Sequence, residues 1–132
     1  MTAEIQFIGK INSPLLRIED CPLQENENAP EASISIYSEY AEGIRDIRTG
    51  AEVLILTWLH RGDRSVLKTQ PRNNREAPFI GVFSTRSPDR PNPVGIHKVK
   101  VLSVSMDGLI KVSGLEVLDQ TPVIDIKPVW NE

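Results

Sequence analysis

The strongest indication of the fold is the pattern of residues 98–112, KVKVLSVSMDGLIKV. Valines alternate with polar residues at the start of this stretch, and a period of two predicts a strand with one buried face. The turn MDGL follows at residues 106–109, where glycine supplies the positive φ that hairpin turns need. Residues 110–112 return as the partner strand, so the whole stretch predicts a β-hairpin.

Short apolar segments on either side of the hairpin predict further strands. Residues 5–7 and 33–36 alternate in polarity, as half-buried strands do. Residues 53–59, VLILTWL, form a continuous apolar run that is typical of a strand buried on both sides. Residues 79–83 and 123–126 are shorter apolar segments of the same kind.

Helix is predicted only over residues 39–47, where Gly43 lowers the helical propensity. Ten prolines punctuate the rest of the chain. Many short strands joined by Pro- and Gly-containing turns predict an all-β barrel or sandwich with long loops and little helix.

The composition predicts one soluble, cytoplasmic domain over residues 1–132, with no separate C-terminal domain. A length of 132 residues suits a single domain, and one cysteine excludes an internal disulfide framework. The first residues lack the features of a signal peptide, and the longest apolar run is far shorter than a membrane-spanning helix. His60, His97 and Cys21 have no spacing typical of a metal site. We therefore expect neither a metal nor a membrane partner.

The formal net charge of −3 conceals two opposed segments. Residues 19–46 carry eight carboxylates and one arginine, whereas residues 61–100 carry nine cationic side chains and three carboxylates. The two segments either neutralise each other, within one chain or between two copies, or leave a basic face that attracts polyanions.

The segment GVFSTRSPDRPNPVG, residues 81–95, is stiff. It contains three prolines within six residues, and each proline fixes its own φ and restricts the residue before it. Arg86, Arg90 and Asn92 project from this segment. A stiff loop with convergent polar groups suits a binding site, although a turn that only ends a strand has the same composition.

The segment LEVLDQTPVIDIKP, residues 115–128, contains a carboxylate between two isoleucines. If the stretch is a strand, Asp125 faces solvent or a polar interior, opposite to Ile124 and Ile126. An interior carboxylate needs a partner such as arginine, and a structural ion pair is the alternative to a catalytic role. Residues 119–122 predict a turn whose backbone groups are available to a ligand.

Four motifs in chain order resemble the TsaA/TrmO-like (YaeB-like) family: IGxIxSP at residues 8–14, WLH at 58–60, and the two segments at 81–95 and 118–128. The resemblance implies a β-barrel, S-adenosylmethionine-dependent tRNA methyltransferase. It further implies methylation of N6 of threonylcarbamoyladenosine, the base just 3′ of the tRNA anticodon. Members are typically homodimers with the cofactor near the subunit interface.

The resemblance also implies positions for the cofactor contacts, whereas the basic segment predicts the tRNA contacts and the reaction chemistry suggests a base. Cofactor contacts are expected at Pro22, Leu23, Gln24, His60, Arg61, Arg86, Asn92, Ile96, Asp119, Gln120, Thr121 and Pro122. Phosphate contacts to the anticodon stem-loop are expected at Arg64, Arg72, Arg75 and Arg90. Asp125 is the candidate base that removes the proton from the acceptor nitrogen. Gln120 stands where the family usually has glycine.

Three other functions stay open on the sequence alone. The first is a cofactor-binding module or regulatory protein without catalysis. The second is a methyltransferase that acts on another small substrate, and the third is a plain RNA-binding barrel. We expect the acidic segment to lie away from the tRNA or against a second subunit.

Overall fold

The 98–112 hairpin forms as the sequence predicts, and further strands close around it. A computed structural model describes residues 1–16, 30–71 and 74–130. In that part of the chain the strands are β1 (Gly9–Asn12), β2 (Ala32–Ile36), β3 (Glu52–Trp58), β4 (Lys68–Thr69), β5 (Ile80–Gly81), β6 (Val94–Val104), β7 (Leu109–Val112) and β8 (Pro122–Pro128). Short 3₁₀ helices span Ser38–Ile44 and Val82–Ser84.

Six of these strands form a closed barrel in the order β1-β2-β7-β6-β3-β8, and every neighbouring pair is antiparallel. β4 and β5 form a separate two-stranded hairpin. The mostly β, barrel-type fold is thereby confirmed, and the sandwich is excluded. Closure pairs both edges of β3, so no edge of this apolar strand is left open.

The barrel interior is filled by alternate residues of the strands. In β3, Val53, Ile55 and Thr57 are buried, whereas their neighbours are half-buried or exposed. The prediction that this strand is buried on both sides is therefore wrong, because a barrel wall has one interior face.

Three local predictions are corrected by the structure. Residues 5–7 are exposed and lie outside the strands, and β1 begins only at Gly9. The predicted helix is a 3₁₀ helix that ends at Ile44. Residues 79–83 form a two-residue strand and the start of a 3₁₀ turn, with Phe79 and Phe83 exposed.

Strand register separates two ends of the barrel. Thr57 lies opposite Gly95 and Val123, so the end of β3 meets the starts of β6 and β8. We call this end the loop end, and it is formed by residues 13–16, 59–65, 85–93 and 113–121. The helix end, formed by residues 37–51 and 105–108, is opposite. Within the described ranges, no helix is long and apolar enough to cross a membrane.

Candidate functional site

Two loops at the loop end are fastened to each other. They are residues 59–65 and 85–93, called here the paired loops. The hydrogen bonds between them run from Leu59 N to Pro93 O (2.7 Å), from Asp63 N to Asp89 Oδ1 (2.9 Å), from Arg64 Nε to Pro91 O (2.6 Å) and from Arg64 Nη2 to Asn92 Oδ1 (3.1 Å). The stiffness predicted from the prolines is therefore reinforced by contacts with a second segment.

Gly62 allows the paired loops to approach this closely. A Cβ on Gly62 would lie 2.2 Å from the carbonyl oxygen of Pro88, which is closer than real Cβ contacts come. Any larger residue at position 62 would push the loops apart. The spacing of the two backbones thus depends on a glycine that the sequence motifs did not single out.

The paired loops engage two arginines that the sequence assigned to RNA. Arg90 Nη1 donates to the carbonyl oxygens of Thr85 and Ser87, each at 3.0 Å. Arg64 holds the proline segment, and its guanidinium carbon lies 5.2 Å from the centre of the Trp58 ring. Both side chains therefore make contacts within the paired loops, Arg64 across to the second loop and Arg90 inside its own loop.

Three other predicted side chains at this end are exposed. They are His60, Arg61 and Arg86. Among the described residues, Arg86 makes no hydrogen bond or ion pair. Its guanidinium is available to an anionic group, whereas Arg64 and Arg90 use part of their N–H donors within the paired loops.

The 119–122 turn is bound to the first strand of the barrel. Gln120 N donates to Ile11 O (2.7 Å), and Asp119 N donates to Leu15 O (2.8 Å). The Thr121 N–H and hydroxyl both donate to Leu118 O. These three N–H groups are used within the protein, so the expectation is wrong for the N–H groups of the turn.

The Asp119 carboxylate remains the polar feature of this turn. Its Oδ1 accepts a hydrogen bond from Ser13 N at 2.9 Å, and the side chain is half-buried. Gln120 has a φ of 68°, in the left-handed region that glycine adopts without strain. The glycine that the family resemblance implies at this position therefore has a physical explanation.

Asp125 lies apart from the loop-end residues. Its Oδ1 accepts from the N–H of Ile126, and its Oδ2 lies 3.9 Å from Lys127 Nζ. The side chain is 51% exposed and lines a cleft of about 630 Å³ at the helix end. The sequence left open whether Asp125 faces solvent or a polar interior, and in the structure it faces solvent.

The remaining predicted residues lie in several places. Ile96 is on the outer face of β6, Pro122 begins β8, and Arg75 is exposed in the β4–β5 connection. Pro22, Leu23, Gln24 and Arg72 lie outside the described residues.

A buried polar pair beneath the loop end was missed by sequence analysis. Thr57 Oγ1 lies 2.8 Å from His97 Nε2, and both side chains face the barrel interior. A Cβ on Gly95 would come within 2.5 Å of the threonine oxygen and 2.7 Å of the histidine nitrogen. The alternation of β6, which puts residues 95, 97, 99 and 101 on one face, was the available signal.

Hydrogen bonds from Ser65 stabilise the ionised form of Asp63 in the first of the paired loops. The Ser65 hydroxyl, and then its N–H, lower the pKa of Asp63 below its ordinary value. In the described part of the chain, no group of three or more His, Cys, Asp or Glu side chains could hold a metal ion.

The fold and the loop end define a class of protein: a small antiparallel barrel whose polar groups are held on stiff loops at one end. The model of the tRNA-methyltransferase O N-terminal domain matches residues 10–132. The chain belongs to this family, and the resemblance drawn from its four motifs is confirmed.

Individual relatives agree with this assignment. The chain is 38% identical to a probable S-adenosyl-L-methionine-binding protein of Methanothermobacter thermautotrophicus, covering 100% of this chain and 93% of that protein. A similarly named protein of Archaeoglobus fulgidus is 40% identical over 97% of this chain but 34% of its own length. The crystal structure of TrmO from P. aeruginosa superposes with a TM-score of 0.77 at 28% identity, covering 98% of this chain and 55% of that one.

Proposed function

We propose that this chain is an S-adenosyl-L-methionine-dependent methyltransferase acting on tRNA, and that it methylates N6 of threonylcarbamoyladenosine beside the anticodon. The carrying observation is that the paired loops and the 119–122 turn, which contain most of the predicted cofactor residues, lie at one end of the barrel. Membership of the tRNA-methyltransferase O family and relatives named for binding the cofactor support the proposal.

The charges at the loop end fit this cofactor. S-adenosyl-L-methionine carries a carboxylate, an ammonium and a sulfonium group. The exposed Arg86 guanidinium suits a carboxylate, because its planar fork donates two parallel hydrogen bonds. The half-buried Asp119 carboxylate offers the opposite charge for a cationic group. Once bound, the cofactor supplies a methyl group on a positively charged sulfur.

The main contribution of the protein to this reaction is positioning. Methyl transfer needs the acceptor nitrogen, the methyl carbon and the sulfur nearly in line, and correct positioning can lower such a barrier by roughly 7–11 kcal/mol. Arg86 lies on a loop whose backbone is held by hydrogen bonds from Arg64 to Pro91 O and from Arg90 to Thr85 O. We assign Asp125 no step in this proposal, because its side chain lines the helix-end cleft beside Lys127.

The RNA is proposed to approach the loop end. Arg75 is exposed there, whereas Glu39, Glu42 and Asp46 of the acidic segment line the helix-end cleft. Phosphate contacts from exposed cations give affinity that falls with salt. An anticodon-loop base is unpaired, so no duplex need be opened to reach it.

The proposed enzyme is a homodimer with the cofactor near the subunit interface. Val94 and Ile96 support this, since they are 39% and 38% exposed on the outer face of β6, next to the paired loops. Sedimentation of the wild type and of Val94→Glu tests the arrangement. We expect a dimer that the charged variant dissociates, and a wild-type monomer would contradict it.

The decisive experiment combines labelled cofactor with two tRNA samples. The purified chain is incubated with methyl-labelled S-adenosyl-L-methionine and with tRNA that carries or lacks the threonylcarbamoyl group. We expect label only in the modified tRNA. Equal label in both samples would assign another acceptor and contradict the proposed base.

A cofactor-binding module without tRNA methylation is the second candidate, and the names of the relatives, which state binding only, favour it. Calorimetric binding of the cofactor without any transfer of label to tRNA would establish it. RNA binding without cofactor binding at millimolar concentration would instead indicate the plain RNA-binding barrel.

A further inference from the structure

The β4–β5 hairpin stands outside the barrel sheet. It lies in the connection from β3 to β6 and therefore emerges at the loop end. Gln70 Nε2 donates to the carbonyl oxygens of Arg75 (2.8 Å) and Ala77 (2.9 Å). The described part of the tip is thus held by its own hydrogen bonds rather than by packing on the core.

Apolar side chains of this region are left in solvent. Leu67 is 62% exposed, Phe79 is 65% exposed and Phe83 is 80% exposed. Single exposed apolar residues are ordinary, so exposure alone does not mark an interaction surface. Of these three side chains, Phe79 also lines a pocket. Aromatic rings contribute most at interaction surfaces because they present large, rigid faces.

A pocket of about 310 Å³ lies beside one of these rings. It is lined by Thr69, Gln70, Arg75 and Phe79. The strand register, with Thr69 opposite Ile80, places Gln70 opposite Phe79 at the base of the tip. An aromatic face, a guanidinium and neutral hydrogen-bonding groups are the combination that proteins use to hold an unpaired nucleobase.

The charge of the hairpin suits the same ligand. Lys68 is exposed in β4, next to the pocket residue Thr69. Lys68 and Arg75 supply two cations against one carboxylate, Glu76, in the described part of the hairpin. A phosphate group on either side of the base would therefore find a cation nearby.

We propose that this pocket holds an unpaired base of the RNA substrate, a neighbour of the base that is methylated, by stacking it on Phe79 while Arg75 contacts its phosphate. The inference rests on the proposed tRNA substrate. Phe79 is then a positioning residue for the RNA, whereas Arg86 serves the cofactor.

The test compares the wild type with Phe79→Ala and with Phe83→Ala as the matched control. Binding of a fluorescent anticodon stem-loop is measured at several salt concentrations, beside a fully paired RNA of equal length. We expect Phe79→Ala to weaken stem-loop binding about ten- to a hundredfold without changing its salt dependence. Affinity for the paired RNA stays unchanged, Phe83→Ala behaves as the wild type, and Phe79→Trp restores binding.

Arg75→Ala gives the complementary result. It weakens binding to both RNAs and reduces the slope of affinity against salt by about one phosphate contact. Because both side chains are exposed, thermal melting of the variants should match that of the wild type.

Three outcomes would overturn the inference. Unchanged stem-loop affinity of Phe79→Ala, while the wild type still methylates tRNA, would overturn it and leave the proposed function standing. A dimer that dissociates on Phe79→Ala, with RNA affinity unchanged, would assign the pocket to a second copy. Absence of both RNA binding and methyl transfer in the wild type would overturn the proposed function along with it.

Discussion

The two ends of the barrel belong to the same six strands, but they differ in how their polar groups are held. At the loop end, hydrogen bonds join the paired loops to each other and the 119–122 turn to β1. At the helix end, a 3₁₀ helix without a side-chain cap covers the strands, and a cleft of about 630 Å³ opens beside it.

The larger of the two cavities described is therefore not at the proposed site. Its walls are apolar side chains such as Ile44 and Ile47, and its rim mixes carboxylates with cations. The loop end instead presents Arg86 and Asp119 on backbone that other residues hold in place. The proposed cofactor site is therefore assigned by fixed polar groups rather than by the volume of a cavity.

The strongest test of this contrast pairs one arginine from each end. We expect Arg86→Ala to weaken S-adenosyl-L-methionine binding about ten- to a hundredfold, because hydrogen bonds to charged groups contribute about 1.5–3 kcal/mol. Arg48→Ala, an exposed arginine of the helix-end cleft, should leave the affinity unchanged. Calorimetry measures both, and equal losses would remove the distinction between the ends.

A second test pairs two glycines. Gly62→Ala should lower the free energy of unfolding by about 1–3 kcal/mol, because the new Cβ would press on Pro88 O. Gly43→Ala in the 3₁₀ helix meets nothing within 4 Å and should be neutral or slightly stabilising. Urea unfolding compares the two variants, and a harmless Gly62→Ala would mean that the paired loops can separate.

A third test uses two non-glycine residues with positive φ in the described part of the chain, one at each end. Gln120 has a φ of 68° and Asp46 a φ of 75°. Gln120→Gly should raise the free energy of unfolding by about 1 kcal/mol, since a left-handed residue with a Cβ costs about 1–2 kcal/mol. Asp46→Gly should gain less, because aspartate tolerates this conformation better. Equal gains from the two changes would contradict the argument.

The smallest effect concerns acid pH at the first of the paired loops. The Ser65 hydroxyl and N–H lower the pKa of Asp63, so the associated stability is present above the ordinary aspartate pKa of about 3.9 and is lost as the pH falls through the lowered value. Ser65→Ala should raise the pKa of Asp63 toward that ordinary value, as measured by NMR titration of the carboxyl carbon. An unchanged titration would contradict the assigned cause.

Much of the fold could be predicted because it is local. The hairpin at residues 98–112 follows from alternation and the Asp-Gly turn, and Gly108 adopts the expected positive φ of 100°. Residues 53–59 misled the prediction, because an apolar run does not say how many of its faces are covered. The barrel, rather than a sandwich, followed from the family resemblance and not from the strand pattern.

For the candidate site, the sequence predicted some features and missed others. The proline-rich segment and its stiffness could be recognised from φ restrictions alone. Arg86 and Arg90, four residues apart in one loop, could not be told apart, yet Arg90 is engaged by Thr85 and Ser87 while Arg86 is exposed. Alternation along β6 could have revealed His97 as an interior residue, but not its partner Thr57.

The sequence by itself determined the strands, the tight turn, the stiff proline segment and the motifs of the family. These depend on neighbours along the chain, where propensity and φ restrictions act directly. The tertiary structure alone decided which arginines are engaged by other residues, that Asp125 lines the helix-end cleft, and that Gly62 must be small. For Arg64, Gly62 and Asp125 the neighbours concerned are distant in sequence, such as Asn92 for Arg64, 28 residues away, and only closure of the barrel brings them together. Arg90 is engaged within its own loop, by backbone carbonyls that no sequence pattern singles out.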